Sequence, residues 1–196
     1  KIGMPNAVIG FDKNGQMWMD QGVDARTMDT SAVQGIDGWG SCPVSLGNLL
    51  LSQVEDAESR FPIINISREM TTDSEGAGRW RGQPGSLNVK KVLQPTTAMA
   101  WMVSSAHTLS GICGGDDASS YSSHFEVGTP NEYKIELIAN ALLPQGALIA
   151  YQHGGGAGFE PALLRDPAAV RDDVLDEIIS VSRAAASSHT VVTVLH

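Results

Sequence analysis

The chain has 196 residues, of which 42% are hydrophobic and 18% charged, and its formal net charge is −9. This composition excludes a globally disordered chain, and an acidic balance without a basic stripe excludes a free nucleic-acid binder. No apolar run reaches the roughly 18 residues of a transmembrane helix, and no signal-peptide pattern precedes the first predicted strand. We therefore expect a cytoplasmic protein without a membrane span, in which 21 Gly and 9 Pro form many turns.

The N-terminal unit, residues 1–50, is predicted to be a hairpin followed by an irregular arm. The Asn14-Gly15 dipeptide separates two short apolar stretches, 6–11 and 16–20. Asn-Gly is favoured in tight hairpin turns because both residues tolerate positive φ. Residues 21–48 are rich in glycine and show neither a helical nor a strand period. Such long loops are uncommon in compact domains unless they are functional or pack against a partner.

The central unit, residues 51–165, is predicted to be a β domain. Residues 52–62 favour one or two helical turns, which Pro62 ends. Strand character then appears in five segments: 63–70, 86–93, 97–105, 132–140 and 147–153. In the fourth segment Tyr133, Ile135 and Leu137 alternate with charged residues and are expected to face inward. This spacing predicts a mainly β fold, a barrel-like or sandwich sheet with Gly/Pro-rich, polyproline-like loops.

The C-terminal unit, residues 166–196, is predicted to be a short helical segment with a final strand. Asp166 is a good N-cap and Pro167 a good first helical residue. Apolar residues follow at helical spacing: Val170, Val174 and Ile178. We expect a second short helix over 180–188, capped by Ser180 or Ser182, and a β-type run at 190–195.

The segment DSEGAGRWRGQPG, residues 73–85, places glycines around two arginines. In one interpretation Arg79 and Arg81, with glycine backbone amides, hold an anionic group such as a carboxylate or phosphate. In the other, which we favour, the segment is a structural turn in which Asp73 and Glu75 pair with the arginines, with Asp73 as the first choice of partner. A fixed turn predicts positive φ at one or more of its glycines. The candidate residues are Asp73, Gly76, Gly78, Arg79, Arg81 and Gly82.

A second glycine cluster lies in HGGGAGFEP, residues 153–161, and comprises Gly154, Gly155, Gly156 and Gly158. The segment lacks the GKS/T of a phosphate-binding loop and is not followed directly by a helix. We therefore expect a close-packed turn, at a contact with another segment or subunit, rather than a nucleotide site. Nucleophile motifs of the GxSxG and SxxK types do not occur, so the sequence identifies no catalytic residue.

Histidines and cysteines show no metal-ligand spacing. The five histidines are scattered along the chain, and His107, His124 and the Asp116-Asp117 pair could meet only through the fold. Cys42 and Cys113 form neither a CxxC motif nor a disulfide framework. We expect both cysteines to be reduced and buried, and the sequence assigns no metal site.

Motifs in consistent order resemble the hydantoinase B family, which includes the B subunits of ATP-dependent hydantoinases, the C-terminal part of 5-oxoprolinase and subunits of acetone and acetophenone carboxylases. Residues 73–85 are similar to the family's DSGGAGRYRGGLG segment, although Glu75 stands where a glycine is usual. HGGGAGFEPALLRDP, residues 153–167, is similar to its GGGGGYGDPLERDP segment. Three further matches are GIDGWGSCP at 35–43, VEDAESRFP at 54–62 and SGICGGDD at 110–117. The resemblance covers nearly all of the chain and corresponds to the C-terminal portion of a longer B-type subunit.

The resemblance implies a subunit, or a piece of one, in a multi-subunit ATP-dependent ketone carboxylase of the acetone or acetophenone carboxylase type. The alternatives are a subunit of an ATP-dependent cyclic-amide hydrolase, of the hydantoinase or oxoprolinase type, and a non-catalytic assembly subunit. ATP would bind to a hydantoinase A-type partner subunit, and a divalent metal would lie elsewhere in the complex, so that this chain holds no cofactor itself. We expect a hetero-oligomer with that partner and with the N-terminal part of the B-type subunit, and no activity from the chain alone.

Overall fold

The computed structural model describes residues 7–20, 30–39, 53–101, 108–135 and 138–188. Nine strands lie in these ranges: β1 (Ala7–Phe11), β2 (Met17–Asp20), β3 (Ile63–Met70), β4 (Ser86–Val92), β5 (Thr96–Trp101), β6 (Ser122–Phe125), β7 (Tyr133–Lys134), β8 (Ile138–Leu143) and β9 (Leu148–His153). The helices are α1 (Val54–Arg60), α2 (Pro167–Leu175) and α3 (Val181–Ser188), with a 3-10 turn at Ala162–Leu164. None of the helices in these ranges is long and apolar enough to cross a membrane. The predicted run at 190–195 and most of the irregular arm lie outside the described residues.

The strands form two antiparallel sheets, which confirms the predicted mainly β class. Sheet 1 has the order β2-β1-β5-β8, and sheet 2 has the order β3-β4-β9-β6-β7. One apolar cluster draws residues from both sheets, with Val8, Ala98 and Leu143 from sheet 1 and Phe125 and Ile149 from sheet 2. The described strands do not close into a barrel. Of the two predicted forms, the sandwich is therefore the one observed.

The predicted hairpin is confirmed, with β1 and β2 paired in antiparallel register from Phe11 opposite Met17. The Asp12 carboxylate orders the turn by accepting hydrogen bonds from the backbone N–H groups of Asn14 and Gln16, both at 2.8 Å. Gly15 has a φ of 77°, whereas Asn14 does not enter the left-handed region. The aspartate, and not only the Asn-Gly dipeptide, therefore shapes this turn.

The single strand predicted over 132–140 is wrong, because this segment divides between the two sheets. Its first part, β7, pairs with β6 in sheet 2, and its last part belongs to β8, which pairs with β5 in sheet 1. Ile135 is buried as expected, but Tyr133 is 38% exposed and not inward, and Leu137 lies outside the described residues. An alternating pattern is the same whether a strand continues or the chain passes from one sheet to the next, so periodicity alone does not reveal the change.

In strand β4 the polar face is the buried one. Asn88 and Lys90 are almost completely buried, whereas Leu87 and Val89 are partly exposed. The Lys90 ammonium donates to Asp20 on β2 at 2.6 Å, and the two side chains are 0% and 9% exposed. This ion pair joins the two sheets through the sandwich interior, where an ammonium without a carboxylate would be strongly unfavourable.

The C-terminal helices begin at the predicted caps. Asp166 accepts a hydrogen bond from the backbone N–H of Ala168 at 2.9 Å, and Pro167 is the first helical residue of α2. The Ser180 hydroxyl accepts from the backbone N–H of Arg183 at 3.1 Å at the start of α3. A small second core holds the two helices together and comprises Val170, Ile178, Ile179 and Ala184, with Val174 packed against them.

Candidate functional site

Residues 73–85 and 153–160, which we call the glycine interlock, are joined by direct backbone hydrogen bonds. The Gly76 N–H donates to the Gly156 carbonyl, and the Gly156 N–H donates to the Gln83 carbonyl, both at 2.8 Å. Trp80 and Phe159 exchange two backbone hydrogen bonds, of 3.2 and 2.9 Å. The two glycine clusters identified separately in the sequence are thus two halves of one structure.

Two further segments hydrogen-bond to the interlock. From 30–38, the Ala32 N–H donates to the Ala157 carbonyl at 2.8 Å, and the Gly38 N–H donates to the Arg81 carbonyl at 2.7 Å. From 111–119, the Asp116 N–H donates to the Ala77 carbonyl at 2.7 Å. The interlock is therefore surrounded by backbone on several sides, and its peptide groups find partners although they lie in no sheet.

The interlock glycines are required for close approach and not for positive φ. A Cβ at Gly82 would lie 1.8 Å from the Gly156 carbonyl oxygen, and a Cβ at Gly156 would lie 2.0 Å from the Thr30 carbonyl oxygen. Comparable backbone contacts, all under 3.0 Å, surround Gly76, Gly78, Gly154, Gly155 and Gly158. The expectation of positive φ at Gly76, Gly78 or Gly82 is wrong, since none of the three is in the left-handed region. The left-handed conformations in these segments belong instead to Asp73 and Glu160, with φ of 61° and 59°.

Arg81 lies in a buried network of two arginines and two aspartates. Its Nε donates to Asp173 Oδ1 on α2 at 2.7 Å, and the two side chains are 10% and 7% exposed. Arg165 donates from both terminal nitrogens to Asp37, each at 2.8 Å, and from Nε to Asp173 Oδ2 at 3.0 Å. The network is balanced in charge, and the Arg165–Asp37 pair is bidentate. Arg81, Arg165 and Asp173 are at most 10% exposed, whereas Asp37 is 34% exposed. Pairing and hydrogen bonding of this kind offset the desolvation of buried ions.

The electrostatics of Asp37 follow from this network. Burial disfavours the ionised carboxylate, but hydrogen bonds from Arg165 and from the Arg81 backbone N–H outweigh burial and hold the pKa of Asp37 below its usual value. Burial lowers the pKa of Arg165, but the Asp37 and Asp173 carboxylates outweigh burial and raise this pKa above its usual value. Asp37 and Arg165 therefore stay charged at neutral pH, and the ion pair of Arg165 with Asp173 helps to keep helix α2 attached to the interlock.

Arg79 has a different environment, exposed at the surface. Its guanidinium donates to Glu160 Oε2 at 3.2 Å, and its central carbon lies 4.6 Å from the centre of the Trp80 ring. The expected pairing of Asp73 with either arginine is wrong, because Asp73 Oδ1 accepts from the backbone N–H of Ser180 at 2.7 Å. The acids that do pair with Arg79 and Arg81 lie 81 and 92 residues farther along the chain. Both guanidinium groups are thus matched by protein carboxylates, the arrangement that a structural turn predicts.

Glu75 was the second acid expected to pair with Arg79 or Arg81, and this expectation is wrong, because its ion pair is with Arg183 on α3. It is 1% exposed, and its Oε2 has no hydrogen-bond partner among the described residues. Burial raises the pKa of Glu75 to about 7, and the Arg183 guanidinium on α3, 3.8 Å from Oε1, only partly opposes this rise. The signal in the sequence was its place in a segment where the resembled family has a glycine.

A small cavity of about 20 Å³ lies between the interlock and the two C-terminal helices. Glu75, Arg81, Asp173 and Arg183 contribute to its lining. A cavity of this volume has room for about one water molecule, and the unpartnered Glu75 Oε2 and Arg183 Nε offer polar contacts to it. The cavity is far too small for a substrate, since ligand pockets usually measure about 300 Å³ or more.

A larger open cleft of about 430 Å³ lies on the outside of the same network. Its lining includes Asp37, Arg79, Trp80 and Arg165. Arg165 pairs with Asp37 in this cleft, and Arg79 pairs with Glu160. The remaining charged residue of the lining, Asp166, accepts a hydrogen bond from the backbone N–H of Ala168. The cleft therefore presents an indole and paired charges, and not an unpaired cationic cradle for an anion.

The histidine and cysteine expectations have mixed outcomes. Within the described ranges, no group of three His, Cys, Asp or Glu side chains could hold a metal ion. Asp117 accepts from the backbone N–H of Gly111, and His124 contacts Glu132 at 3.1 Å, so these two side chains serve local structure. His107 and Cys42 lie outside the described residues. The expected burial of Cys113 is wrong, because this free cysteine is exposed in a turn, where its φ is 54°.

Comparison with known proteins identifies one family and solved structures of the same fold, two of which are described below. The family model described as hydantoinase B/oxoprolinase matches residues 2–161. An uncharacterized protein of Methanocaldococcus jannaschii is 26% identical over 144 residues, which are 69% of this chain and 24% of that protein.

The two solved structures share the fold at low sequence identity. A nucleotide-free structure of an acetone carboxylase, reported for the mechanism of ATP-dependent acetone carboxylation, superposes with a TM-score of 0.76 and 18% identity over 93% of this chain and 29% of that chain. An ATP-dependent caprolactamase from Pseudomonas jessenii superposes with a TM-score of 0.79 and 19% identity over 98% of this chain and 36% of that chain. The chain thus spans about a quarter to a third of the length of the proteins that it matches.

Proposed function

Because the chain belongs to the hydantoinase B/oxoprolinase family, we propose that it works as a subunit, or a piece of a subunit, of an ATP-dependent enzyme complex that acts on a carbonyl or cyclic-amide compound. The observation that carries this proposal is the family match over residues 2–161. Support comes from the fold, which is shared with an acetone carboxylase and with an ATP-dependent caprolactamase.

The first candidate is a ketone carboxylase of the acetone or acetophenone type. In this proposal ATP binds to a hydantoinase A-type partner, and a divalent metal lies in the N-terminal part of a B-type subunit. The described residues of this chain include no metal-ligand cluster, so no step through a metal is assigned to them. The chain acts by bracing the complex and by keeping water from reactive intermediates.

The geometry supports a bracing role for the glycine interlock. Arg81, Arg165, Asp37 and Asp173 satisfy one another within the chain, and the interlock backbone is hydrogen-bonded on several sides. Groups held this firmly are suited to position neighbouring segments. We therefore propose that residues 73–85 and 153–160 are a structural element of the complex and not an anion site.

The second candidate is an ATP-dependent cyclic-amide hydrolase. The observation that favours it is the caprolactamase structure, which superposes on 98% of this chain. Both candidates need ATP, and they differ in the second substrate, because a carboxylase consumes bicarbonate and a hydrolase consumes water.

The test is an assay of the native complex, purified through an affinity tag on this chain. ATP hydrolysis is measured with acetone or acetophenone in the presence and absence of bicarbonate, and with 5-oxoproline, hydantoin or caprolactam. The carboxylase proposal predicts ATP turnover that requires both ketone and bicarbonate, together with incorporation of labelled bicarbonate into a keto acid. Turnover with a cyclic amide and without bicarbonate would replace it by the hydrolase. A complex in which no substrate stimulates ATP hydrolysis would contradict both candidates.

The isolated chain provides the matching control. It is expected to show no ATP binding by calorimetry and no ATP hydrolysis. Micromolar ATP binding by the chain alone would contradict the placement of the nucleotide on a partner subunit.

A further inference from the structure

The outer face of sheet 1 is apolar across all four of its strands. One row of residues crosses the sheet with one residue on each strand, in the order Met19, Ile9, Thr97 and Leu142, and each residue is paired in register with the next. A second aligned pair, Phe11 and Met17, extends this row toward the hairpin turn. Four of these side chains are well exposed: Phe11 at 63%, Met17 at 60%, Met19 at 40% and Leu142 at 77%.

The opposite face of sheet 1 is already occupied. Val8, Ala98 and Leu143 point into the sandwich core, and their exposed fractions are 1%, 0% and 0%. Because neighbouring residues of a strand point to opposite faces, the residues that alternate with these belong to the outer face. Sheet 1 thus carries apolar side chains on its outer face as well as on its inner face, where Asp20 pairs with Lys90.

This pattern is unusual for a sheet that ends at solvent. An antiparallel sheet with one free face normally alternates apolar and polar residues. None of the described outer-face residues of sheet 1 is Asp, Glu, Lys or Arg. These residues are Ala7, Ile9, Phe11, Met17, Met19, Thr97, Met99, Asn140 and Leu142. Ala7 on this face is buried, but Phe11, Met17, Met19 and Leu142 are exposed. A group of exposed apolar side chains on one sheet face is the kind of surface that marks a protein–protein contact.

The relatives carry much additional polypeptide beyond this fold. This chain superposes on 93% to 98% of its own length but on only 29% to 36% of the two solved chains, so in both proteins the fold is embedded in a much longer polypeptide. A second copy of this chain is a poorer occupant, because it would bring together two molecules that each carry a net charge of −9.

We propose that the outer face of sheet 1 is the surface on which the N-terminal part of a B-type subunit, carried on a separate chain, packs through an apolar and uncharged layer of its own. This inference rests on the proposed function, from which it takes the identity of the partner. The inference adds where the contact lies, which is on a different surface from the glycine interlock and the cleft beside it.

The experiment is site-specific photocrosslinking in the native complex. A benzoylphenylalanine residue is introduced singly at Phe11 and at Leu142, and cross-linked peptides are identified by mass spectrometry. Both positions are expected to cross-link to B-type sequence outside the region matched here, with a yield at least roughly 10-fold higher than that of the control. The matched control is Ile66 on β3 of sheet 2, which is apolar and 55% exposed.

Other outcomes would overturn the inference. Cross-links to a second copy of this chain, cross-links to an unrelated protein, or yields no higher than at Ile66 each contradict it. If ATP turnover by the complex persists in any of these cases, the proposed function stands and the placement of the contact fails. If turnover is absent but the B-type cross-links form, the contact stands and the proposed activity fails.

A charge substitution gives a second measurement that does not depend on the photoreactive group. Leu142→Lys is expected to lower the amount of B-type polypeptide that co-purifies with the chain by about 10-fold or more, because a buried ammonium without a partner disfavours association. Ile66→Lys is the control and is expected to leave the yield unchanged. Equal yields for Leu142→Lys and the native chain would contradict the proposal.

Discussion

The glycine interlock and the outer face of sheet 1 differ in where their partners lie. In the interlock, backbone groups and charged side chains find partners within the chain, and the Arg81–Asp173 pair is buried. On the outer face of sheet 1, large apolar side chains such as Phe11 and Leu142 are 63% and 77% exposed. Apart from groups such as Glu75 Oε2, the interlock satisfies its polar groups within the chain, whereas the sheet face leaves large apolar side chains exposed.

This difference separates stability from assembly. Substitutions in the interlock remove contacts that the folded chain makes with itself, so they are expected to change its free energy of unfolding. Substitutions on the outer face of sheet 1 remove contacts that the chain alone does not make. They are expected to leave its unfolding unchanged and to act only on the complex. The following predictions, from largest to smallest effect, test that separation.

Asp173→Ala is expected to have the largest effect on the free energy of unfolding. It leaves the buried Arg81 guanidinium without its carboxylate and removes one partner of Arg165. Breaking a buried pair from one side destabilises a protein by about 3–5 kcal/mol. Urea unfolding monitored by circular dichroism measures the change. The neighbouring Asp172→Ala, at a side chain that is 58% exposed, is the control and should change stability by only about 0–1 kcal/mol. Equal effects of the two substitutions would contradict a structural role for the network.

Gly82→Ala is expected to destabilise the chain by about 3 kcal/mol, because inserting a methyl group where none fits forces the backbone apart. The added Cβ would lie 1.8 Å from the Gly156 carbonyl oxygen. Gly146→Ala is the control, because it tests the effect of backbone conformation without steric crowding. Gly146 has open space around it but a φ of 89°. That substitution should destabilise the chain by only about 1 kcal/mol. A smaller effect at Gly82 than at Gly146 would contradict the close-approach explanation.

Glu75→Gln is expected to remove part of the pH dependence of stability. Because burial raises the pKa of Glu75 to about 7, the folded state holds a proton that the unfolded chain releases near its ordinary value. Stability from this group is thus fully present below the unfolded pKa and is lost as pH rises through about 7, by about 2–3 kcal/mol. Urea unfolding at pH 5, 7 and 8 should show that the native chain loses more stability than the Glu75→Gln variant as pH rises. Parallel pH profiles would contradict a buried, proton-binding Glu75.

Leu142→Ala is expected to have the smallest effect on the isolated chain, within about 0.5 kcal/mol, as for other exposed positions. Its neighbour Leu143 is completely buried, so Leu143→Ala should destabilise the chain by about 2–5 kcal/mol. Thermal and urea unfolding of the two variants compare adjacent residues of one strand that face opposite sides. A large effect of Leu142→Ala on the isolated chain would show that its side chain is already packed and would weaken the comparison between the two regions.

The local elements were largely predictable because their signals lie within a few residues. Asp166 and Pro167 begin α2, Ser180 caps α3, and Pro62 follows the end of α1. Capping and turn signals act through hydrogen bonds to nearby backbone groups, so one short window of sequence contains them. The prediction of a single strand over 132–140 was wrong, because the alternation of residues in this segment fits a strand in either sheet.

The candidate site was predictable in its parts but not in its connections. Both glycine clusters were recognised, and so was the presence of acids near Arg79 and Arg81. Proximity in sequence suggested Asp73 as the acid, yet the observed partners are Glu160 and Asp173. Glu75 was seen as a departure from a glycine pattern, but its burial depends on how α3 and Arg183 pack over it.

The sequence by itself determined the mainly β class, most strand and helix positions, and the family, because periodicity, caps and ordered motifs are properties of the linear chain. The tertiary structure decided which face of β4 is buried, why the interlock glycines are needed, and which carboxylates neutralise the arginines. The physical reason is that each of these depends on a distance between atoms far apart in sequence. The 1.8 Å from a Gly82 Cβ to the Gly156 oxygen and the 2.7 Å from Arg81 to Asp173 exist only once the segments have packed together.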